Sequence, residues 1–389
     1  MAADLLLVSF YFPPFSGVGA RRWGFLSRFF AENGYRVAVL TSPLSGRAGA
    51  EPTGHERVSV HVAPPPRRPP RIPRLPFLGE LLAWQRPFRR SLEQLIRRER
   101  PRLLAFTGGP FFSFVLAPGL AKRFALPYWL DFRDAWGLGS HLPLRFSAQL
   151  IRFLERRAVA GARLITDVTP EMTALRRAAF PHLPRERFQV LENGYEGDPL
   201  VPAPGARSSP ALRLGIWGKF SPYSPAHSFL LPAAVAELTA GFAVEIHHFG
   251  SADGEKALAE SAARLGLEKS LVFHGTSEYE AGIAQLAAMD VMVLNHRSPL
   301  MVGTKVYDAI RLNRPVLAFC QTGDALARLL RPFRHAYTAA TAAEAAAALC
   351  KINRTRPNCL DPGLDPRPYS RERQARDFLP LLASLLGPR

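Results

Sequence analysis

The sequence of 389 residues is poor in cysteine and contains no long apolar run. Its three cysteines, Cys320, Cys350 and Cys359, lack metal-ligand spacing and form no even disulfide set, which is typical of a reducing compartment. No segment approaches the roughly 20 apolar residues that a membrane-spanning helix needs. The first residues have neither the basic segment nor the apolar length of a signal peptide. We therefore expect a soluble or surface-bound protein.

Acidic residues are also scarce, with 32 Asp and Glu against 50 Lys and Arg and a net charge of +18. Such an excess indicates an anionic partner, which is nucleic acid, an anionic membrane leaflet or a phosphorylated ligand. A high arginine content can also reflect a GC-rich genome. No recognised nucleic-acid-binding module accompanies the charge, so nucleic acid is the least favoured partner.

The chain is too long for one typical core, and its apolar runs alternate between strand and helix periods. A segment rich in Pro, Gly and Ser over residues 199–210 interrupts this alternation, which then restarts. Two capping boxes, Ser277-x-x-Glu280 and Thr341-x-x-Glu344, predict helix starts in the later part. The pattern predicts an α/β fold with two Rossmann-like domains over residues 1–200 and 211–366, followed by a C-terminal helix within 367–389.

The first predicted strand, Leu5 to Tyr11, ends in a segment rich in proline and glycine. The segment lacks the Gly-x-Gly-x-x-Gly spacing of dinucleotide-binding proteins. Gly17 and Gly19 permit close approach of the backbone to a ligand just before a helix N-terminus, where phosphate binds well. We favour a ligand loop, and a purely structural turn is the alternative.

A cluster of charged residues follows the strand that ends at Leu130. It contains Asp131, Arg133 and Asp134, and Trp136 follows. Open α/β sheets place ligand-binding groups at the carboxyl ends of their strands. These residues are therefore candidates for the site, and a local ion pair that braces a loop is the alternative.

The segment 294–320 predicts a strand end, a polar loop, a short helix and another strand. Thr304 is placed to cap the helix, Lys305 adds a cation near its start, and Asp308 lies one turn later. A carboxylate there can accept the hydroxyls of a ribose. Asn313 can end the helix in a left-handed conformation before Pro315. An ordinary βαβ unit with solvated Lys and Asp is the alternative.

Residues 64–102 contain eleven arginines and only three glutamates, interleaved with apolar residues. A basic, aromatic and amphipathic stretch of this kind can lie at an anionic membrane surface. The alternative is an inter-strand helix with a solvated arginine face.

Several motifs, in this order, together resemble the retaining nucleotide-sugar glycosyltransferases of the large bacterial family 4. The resemblance is strongest to the branch with an Asp-Phe-Arg-Asp-x-Trp motif. It implies a GT-B fold, with two facing Rossmann-like domains and a C-terminal crossover helix that returns to the N-terminal domain. The motifs are Phe12-Pro13-Pro14 with Gly17-Val18-Gly19 and Arg21-Arg22-Trp23, Asp131 to Trp136, Glu192-Asn193-Gly194, Phe249-Gly250, His274-Gly275, and Thr304-Lys305 with Asp308 and Arg314-Pro315-Val316.

The resemblance also implies roles for particular residues. The catalytic residues are expected to be Asp131, Arg133 and Asp134. The donor-binding residues are expected to be Gly17, Gly19, Lys219, Thr304, Lys305 and Asp308. The acceptor or loop residues are expected to be Arg21, Arg22, Trp136 and Asn193. No metal or cofactor is implied, because the donor substrate is itself a nucleotide diphosphate sugar.

The same resemblance implies a glycan or polyprenyl-linked acceptor in the synthesis of cell-surface polysaccharide or glycolipid. The expected location is the cytoplasm, peripherally on the inner face of the cytoplasmic membrane. Three departures from the family pattern are visible. Leu300 replaces the first of two glutamates, Lys219 alone remains of a basic clamp, and Arg133 stands where many relatives have histidine. Two alternatives therefore stay open: a catalytically degenerate GT-B module that binds glycan or a partner enzyme, and a GT-B sugar-nucleotide epimerase.

Overall fold

The computed structural model describes residues 2–15, 17–45, 54–66, 76–139, 145–200, 209–238, 241–355 and 358–387. The chain divides into two units. The first comprises Met1–Glu192 with Gln374–Arg389, and the second comprises Asn193–Arg373. The predicted linker at 199–210 lies within the second unit's range, and residues 201–208 of it are outside the described residues. Residues 67–75 of the basic stretch are also outside them.

The first unit contains a seven-stranded parallel sheet in the order β3-β2-β1-β4-β5-β6-β7. The order reverses at β1, as in doubly wound folds. All residues of β1, β2, β4, β5 and β6 are buried and most of them are apolar, as in parallel sheets covered by helices on both faces, whereas the edge strand β3 is half-buried or exposed. The strands are β1 Leu5–Val8, β2 Val37–Thr41, β3 Val58–Val62, β4 Leu103–Thr107, β5 Tyr128–Phe132, β6 Leu164–Asp167 and β7 Phe188–Val190. The helices are α1 Val18–Glu32, α2 Pro76–Glu99, α3 Phe112–Phe124, α4 Trp136–Gly139, α5 Arg145–Ala160 and α6 Pro170–Ala179.

The second unit contains a six-stranded parallel sheet in the order β10-β9-β8-β11-β12-β13, and here the order reverses at β8. Its strands are β8 Leu212–Trp217, β9 Val244–Phe249, β10 Leu271–Gly275, β11 Val291–Asn295, β12 Val316–Phe319 and β13 Ala336–Ala339. Its helices are α7 Pro225–Ala236, α8 Lys256–Arg264, α9 Tyr279–Ala287, α10 Lys305–Arg311, α11 Ala325–Leu330 and α12 Ala342–Thr355. The predicted fold class, two Rossmann-like halves, is therefore confirmed.

The last helix, α13 Arg371–Leu386, supplies core residues to the first unit. Its Phe378 stacks on Trp129 at 4.9 Å between ring centroids, and Leu382 is fully buried. These side chains share a cluster with Trp23 and Phe30 of α1. Apolar burial of this extent contributes about 1.5–3 kcal/mol for each large side chain. The helix therefore completes one face of the first sheet.

The helices α2, α3 and α5 lie on the opposite face of that sheet. Each of these helices connects a strand to one that lies closer to the β7 edge of the sheet. Because crossovers between parallel strands are right-handed, helices that advance in the same direction lie on the same face. α2 packs against α3, and α3 packs against α5. Within the described residues, no helix is both long and apolar enough to cross a membrane.

Local predictions have mixed outcomes. Thr341 and Glu344 form the expected capping box, with Glu344 N–H donating to Thr341 Oγ1 at 3.2 Å, and Asn313 adopts the left-handed conformation with φ 48°. The capping predictions for Ser277 and Thr304 are wrong, because neither α9 nor α10 has a side-chain cap. β13 and α11 were not predicted.

Candidate functional site

Asp131 lies at the end of β5 and is fully buried. Its Oδ2 accepts hydrogen bonds from Trp23 Nε1 at 2.8 Å and Thr107 Oγ1 at 3.1 Å. Its Oδ1 accepts one from Thr166 Oγ1 at 2.8 Å and pairs with Arg22 Nη2 at 3.3 Å. Both oxygens are thus held by groups of the protein, away from solvent. We therefore correct the catalytic role expected for Asp131 to a positioning role.

Arg22, expected in an acceptor loop, is also buried, with 1% of its surface exposed. Besides Asp131 it donates hydrogen bonds to the carbonyls of Leu191 at 2.7 Å and Glu192 at 2.8 Å. It therefore ties α1 and β5 to the chain that follows β7, and contact with an acceptor is not supported. Arg21, by contrast, is half-buried on the same helix, and its backbone N–H donates to Gly17 O at 3.0 Å.

Arg133 is half-buried and reaches back to the loop after β4. Its Nε donates to Gly108 O at 3.0 Å, and its Nη2 donates to the carbonyls of Gly108 and Gly109. Burial lowers the pKa of Arg133, and the carboxylates of Asp131 and Asp134 oppose that shift. The two predicted residues Gly19 and Arg133 are in direct contact, because a Cβ on Gly19 would lie 1.5 Å from Arg133 Nη1.

Asp134 is the aspartate of the cluster that remains half-exposed. It lies beside Gly109, where its Oδ2 would be 3.7 Å from an added Cβ, and its charge acts on Arg133. Trp136 begins α4 with a φ of 42° and stacks on Phe111 at 5.1 Å. A non-glycine residue with positive φ is uncommon and is often found at functional sites. Of the two aspartates, only Asp134 is therefore placed to contact a ligand.

A buried ion triad beneath this segment was missed by sequence reasoning. Arg176 donates to Asp167 at 2.9 Å and also to Glu155, and all three are almost completely buried. The Arg176 guanidinium lies 3.5 Å from the ring centroid of Phe132, between Asp131 and Arg133 in the chain. Burial raises the pKa of both carboxyls, and Arg176 opposes that rise. Removing one member of such a triad costs about 3–5 kcal/mol of unfolding free energy. Because Arg176 also packs on Phe132, the last residue of β5, the triad holds the end of that strand in place.

In the second unit, buried polar side chains form hydrogen bonds with the backbone of the turn after β8. Glu255 accepts hydrogen bonds from the backbone N–H groups of Phe220 at 2.7 Å and Ser221 at 2.8 Å. His248 Nε2 lies 2.9 Å from Gly218 O, and Asn295 Nδ2 donates to Phe220 O at 2.8 Å. Sequence reasoning missed these three supporting residues. Glu255 lies 35 residues beyond Phe220, so no local pattern indicates the contact.

Lys305 extends from the start of α10 to this turn. Its Nζ donates to Lys219 O and lies 4.6 Å from the centroid of the Tyr223 ring. Burial lowers the pKa of Lys305 to about 7, with Glu255 and Asp308 opposing and Lys219 adding to the decrease. The exposed Lys219 and the half-buried Lys305 therefore lie together at the carboxyl end of the sheet.

Asp308 is 4% exposed, and its Oδ1 accepts a hydrogen bond from the Tyr279 hydroxyl. Its charge acts on Lys305, three residues earlier. Thr304 precedes the helix without capping it. Asn193 also belongs to the second unit, where its Nδ2 donates to Val302 O at 3.4 Å. The predicted residues Lys219, Lys305 and Asp308 are thus brought together.

Among the predicted residues of the first unit, Gly19, Asp131 and Asp134 lie close to Arg133. Gly17 adjoins Phe15, whose ring would lie 2.5 Å from an added Cβ. Within the described parts of the chain, no three His, Cys, Asp or Glu side chains are placed to hold a metal ion.

The comparisons with known proteins bear on both the first unit and the whole fold. A family model described as a glycosyl transferase 4-like domain matches residues 17–194. The match covers most of the first unit and less than half of the whole chain. No curated protein matches the chain.

Solved structures of the same fold cover nearly the whole chain. Sucrose-phosphate synthase from Thermosynechococcus elongatus is 15% identical with a TM-score of 0.73, and 98% of each chain is covered. Anabaena HepE in complex with UDP and glucose is 18% identical with a TM-score of 0.71, covering 98% of this chain and 100% of that one. A lipopolysaccharide outer core galactosyltransferase, WaaB, is 12% identical with a TM-score of 0.65, covering 98% and 99%. The chain therefore has a GT-B fold, and the segment 17–194 that the family model matches corresponds to the first half of that fold.

Proposed function

We propose that the protein is a glycosyltransferase that moves a sugar, with retention of configuration, from a nucleotide diphosphate sugar to a glycan or lipid-linked acceptor. The observation that carries the proposal is the pair of lysines at the carboxyl end of the second sheet. Lys305 reaches the backbone of Lys219, and the charge of Lys219 helps to lower the pKa of Lys305. Two cations held together in this way bind an anion favourably, because the anion removes their repulsion.

The chemistry of sugar transfer matches this arrangement. As the glycosidic bond breaks, positive charge develops on the sugar and negative charge on the departing diphosphate. Preorganised cations stabilise such a leaving group, and Lys219 and Lys305 supply them without a metal ion. Asp308, close to Lys305, would accept a ribose hydroxyl of the same nucleotide. Complexes of Anabaena HepE with UDP and with UDP-glucose support a nucleotide sugar as the ligand of this fold.

In the first unit, Asp134 is the aspartate that we propose to position a hydroxyl of the acceptor or sugar. Arg133 orders its loop through the Gly108 and Gly109 carbonyls. The oxygen of the leaving phosphate would itself take the acceptor proton, which is consistent with retention. For Gly17, Arg21, Trp136 and Asn193 we propose the roles that the resemblance implies, whereas Gly19 makes room for the Arg133 side chain.

A binding screen followed by a transfer assay tests this function. The nucleotides to screen are UDP, GDP, ADP and dTDP, and the matching sugar nucleotides are then used with glycan and polyprenyl-linked acceptors. At least one nucleotide should bind, and the corresponding sugar should be transferred with the α or β configuration of the donor. Absence of binding for all nucleotides would favour the degenerate module, and an altered sugar without acceptor would favour the epimerase.

We further propose that the first unit binds an anionic membrane through a cationic face on α2, α3 and α5. The structure corrects one part of the expectation for residues 64–102. Phe88, Leu92, Leu95 and Ile96 are buried in the core, so they are not available to a membrane. The exposed cations of the face are Arg86, Arg89, Arg90, Arg97 and Arg98 of α2, Lys122 and Arg123 of α3, and Arg152, Arg156 and Arg157 of α5.

Two features favour a membrane for this cationic face. Among the described side chains of the three helices, no Asp or Glu is exposed, and each basic residue near an anionic surface contributes about 1 kcal/mol. Leu82 and Phe153 expose 48% and 54% of their surfaces among these arginines. An apolar ring beside cations suits the interfacial region of a bilayer.

Vesicle flotation tests the membrane proposal. The full chain should float with vesicles that contain phosphatidylglycerol and not with pure phosphatidylcholine. Arg152→Glu/Arg156→Glu/Arg157→Glu should abolish flotation. Lys256→Glu/Arg264→Glu/Lys269→Glu, with the same charge change on exposed residues of the second unit, should retain it. Equal loss in both variants, or no preference for anionic vesicles, would contradict the proposal.

A further inference from the structure

Tyr279, at the start of α9, has the position of a second residue of the ribose site. Its hydroxyl donates a hydrogen bond to Asp308 Oδ1. A phenolic hydroxyl has a single proton to donate, so that proton is committed to the carboxylate. The Arg311 guanidinium in turn hydrogen-bonds Tyr279. These three side chains thus form a chain of hydrogen bonds from Arg311 through Tyr279 to Asp308.

The far end of this chain is fixed to the protein. Arg311 is 5% exposed, its Nε donates to Asp198 O at 2.9 Å, and its Nη2 pairs with Glu280 at 3.3 Å. A charged side chain with several partners holds its position, and each such bond to a charged group is worth about 1.5–3 kcal/mol. The position of the Tyr279 hydroxyl is therefore determined by the anchored Arg311 side chain as well as by Asp308.

The ring of Tyr279 is also positioned by packing. It lies edge-on to Trp217 at 6.4 Å between centroids. Trp217 itself occupies space that any side chain at residue 282 would take, since a Cβ on Gly282 would lie 2.0 Å from its ring. Trp217 thus sits in a tightly packed pocket on α9, the helix that begins with Tyr279.

The Lys305 ammonium competes with the Tyr279 hydroxyl for the Asp308 carboxylate. Lys305 lies three residues before Asp308 on α10, and the two charges interact. A carboxylate without the tyrosine bond would turn toward that ammonium, because opposite charges at short range attract strongly. An aspartate is also one methylene shorter than the glutamate usual in the resembled family, so its direction matters more. The hydrogen bond from Tyr279 prevents the Asp308 carboxylate from forming an ion pair with Lys305.

We propose that Tyr279 is a positioning residue that orients Asp308 toward the ribose and so sets the preference for ribonucleotides over 2′-deoxyribonucleotides. The inference rests on the proposed nucleotide-binding function of the second unit. A site built to hydrogen-bond a hydroxyl rejects the analogue that lacks it, because its own polar group is left unpaired. A carboxylate that has turned away loses this discrimination, whatever affinity remains.

Calorimetry on the full chain tests the inference with two nucleotide pairs, UDP against 2′-deoxyUDP and ADP against 2′-deoxyADP. In the unmodified protein the ribonucleotide should bind at least tenfold more tightly than its deoxy partner, in whichever pair binds. In Tyr279→Phe this ratio should fall to within twofold of one. Asp308→Asn should give the same collapse, and Tyr337→Phe, a matched change on β13, should leave the ratio unaltered.

The outcomes separate the inference from the function on which it rests. If Asp308→Asn loses the ratio and Tyr279→Phe keeps it, Tyr279 has only a structural role and the inference is wrong. If the unmodified protein binds the two nucleotides of a pair equally, or if Asp308→Asn retains the preference for the ribonucleotide, Asp308 does not recognise ribose. The inference about Tyr279 is then wrong as well. If no nucleoside diphosphate binds, the proposed function itself fails. Thermal melting of each variant verifies that it is folded.

Discussion

The guanidinium of Arg133 fills the space in which a side chain at residue 19 would begin, with its Nη1 only 1.5 Å from the position of an added Cβ. A side chain at residue 19 would therefore have to displace the Arg133 guanidinium. The glycine was predicted from the sequence as a place where a ligand approaches the backbone, and the structure shows that an arginine side chain approaches it.

Gly19→Ala should therefore displace Arg133 from the Gly108 and Gly109 carbonyls. Hydrogen bonds of charged groups are worth about 1.5–3 kcal/mol, so the free energy of unfolding should fall by roughly that amount. Gly119→Ala is the control, because nothing lies within 4 Å of an added Cβ there. That change in a helix should be neutral or stabilising by up to about 1 kcal/mol. Equal stabilities of the two variants in urea would show that Arg133 can move freely.

The two aspartates of the Asp131–Trp136 segment should respond oppositely to the same change. Asp131→Asn removes the charge that pairs with buried Arg22, which should cost about 3–5 kcal/mol of unfolding free energy. Asp134→Asn should stay within about 0.5 kcal/mol, as half-exposed positions usually do, and should instead reduce the transfer rate at least tenfold. A stable Asp131→Asn with impaired transfer would restore the catalytic role first expected for Asp131.

Nucleotide affinity should depend on pH through Lys305. Its pKa in the ligand-free protein is lowered from 10.5 to about 7, and the diphosphate favours the protonated form. Affinity should therefore weaken as pH rises above 7, approaching tenfold per pH unit, and binding should take up a proton. Calorimetry between pH 7 and 9 in buffers of different ionisation enthalpy measures both effects. Lys305→Arg stays charged and should remove the dependence. A flat profile in the unmodified protein would mean that Lys305 does not contact the phosphates.

Acid should destabilise the turn after β8 through Glu255. Burial alone would raise the pKa of Glu255, but hydrogen bonds from His248, Phe220 and Ser221 lower it from 4.5 to about 2. A depressed carboxyl pKa gives stability that is complete above the unfolded value and is lost as pH falls from about 4.5 to 2. The loss between pH 5 and pH 3 should be about 2 kcal/mol, measured by urea unfolding at the two pH values, and smaller in Glu255→Gln. Identical profiles in the two proteins would contradict this role.

Most of the fold could be predicted because parallel strands are continuous apolar runs between breaks. Leu5–Val8 and Val316–Phe319 are such runs, and both form buried strands. β13 has no such run: Ala336–Ala339 is a half-exposed edge strand of ordinary composition. The pairing of Glu280 with Arg311 likewise overrides the capping box with Ser277, since a buried guanidinium is a stronger partner than a helix end.

The candidate site was less predictable, because burial and distant partners decide which groups are accessible. Asp131 and Asp134 are three residues apart and chemically identical, yet β5 directs the first into the core. Arg176 reaches Glu155, 21 residues earlier, and this contact has no signature in the spacing. The convergence of Lys219 and Lys305 across 86 residues was inferred from the family resemblance and not from any local pattern.

Direct titration of nucleoside diphosphates into the full chain tests the central claim that a diphosphate binds where Lys219 and Lys305 meet. At least one of UDP, GDP, ADP and dTDP should bind. In Lys219→Ala/Lys305→Ala that nucleotide should bind at least a hundredfold more weakly, while Lys256→Ala/Lys269→Ala should bind it unchanged. Absence of binding for all four nucleotides, or equal affinity in the first pair of substitutions, would contradict the claim.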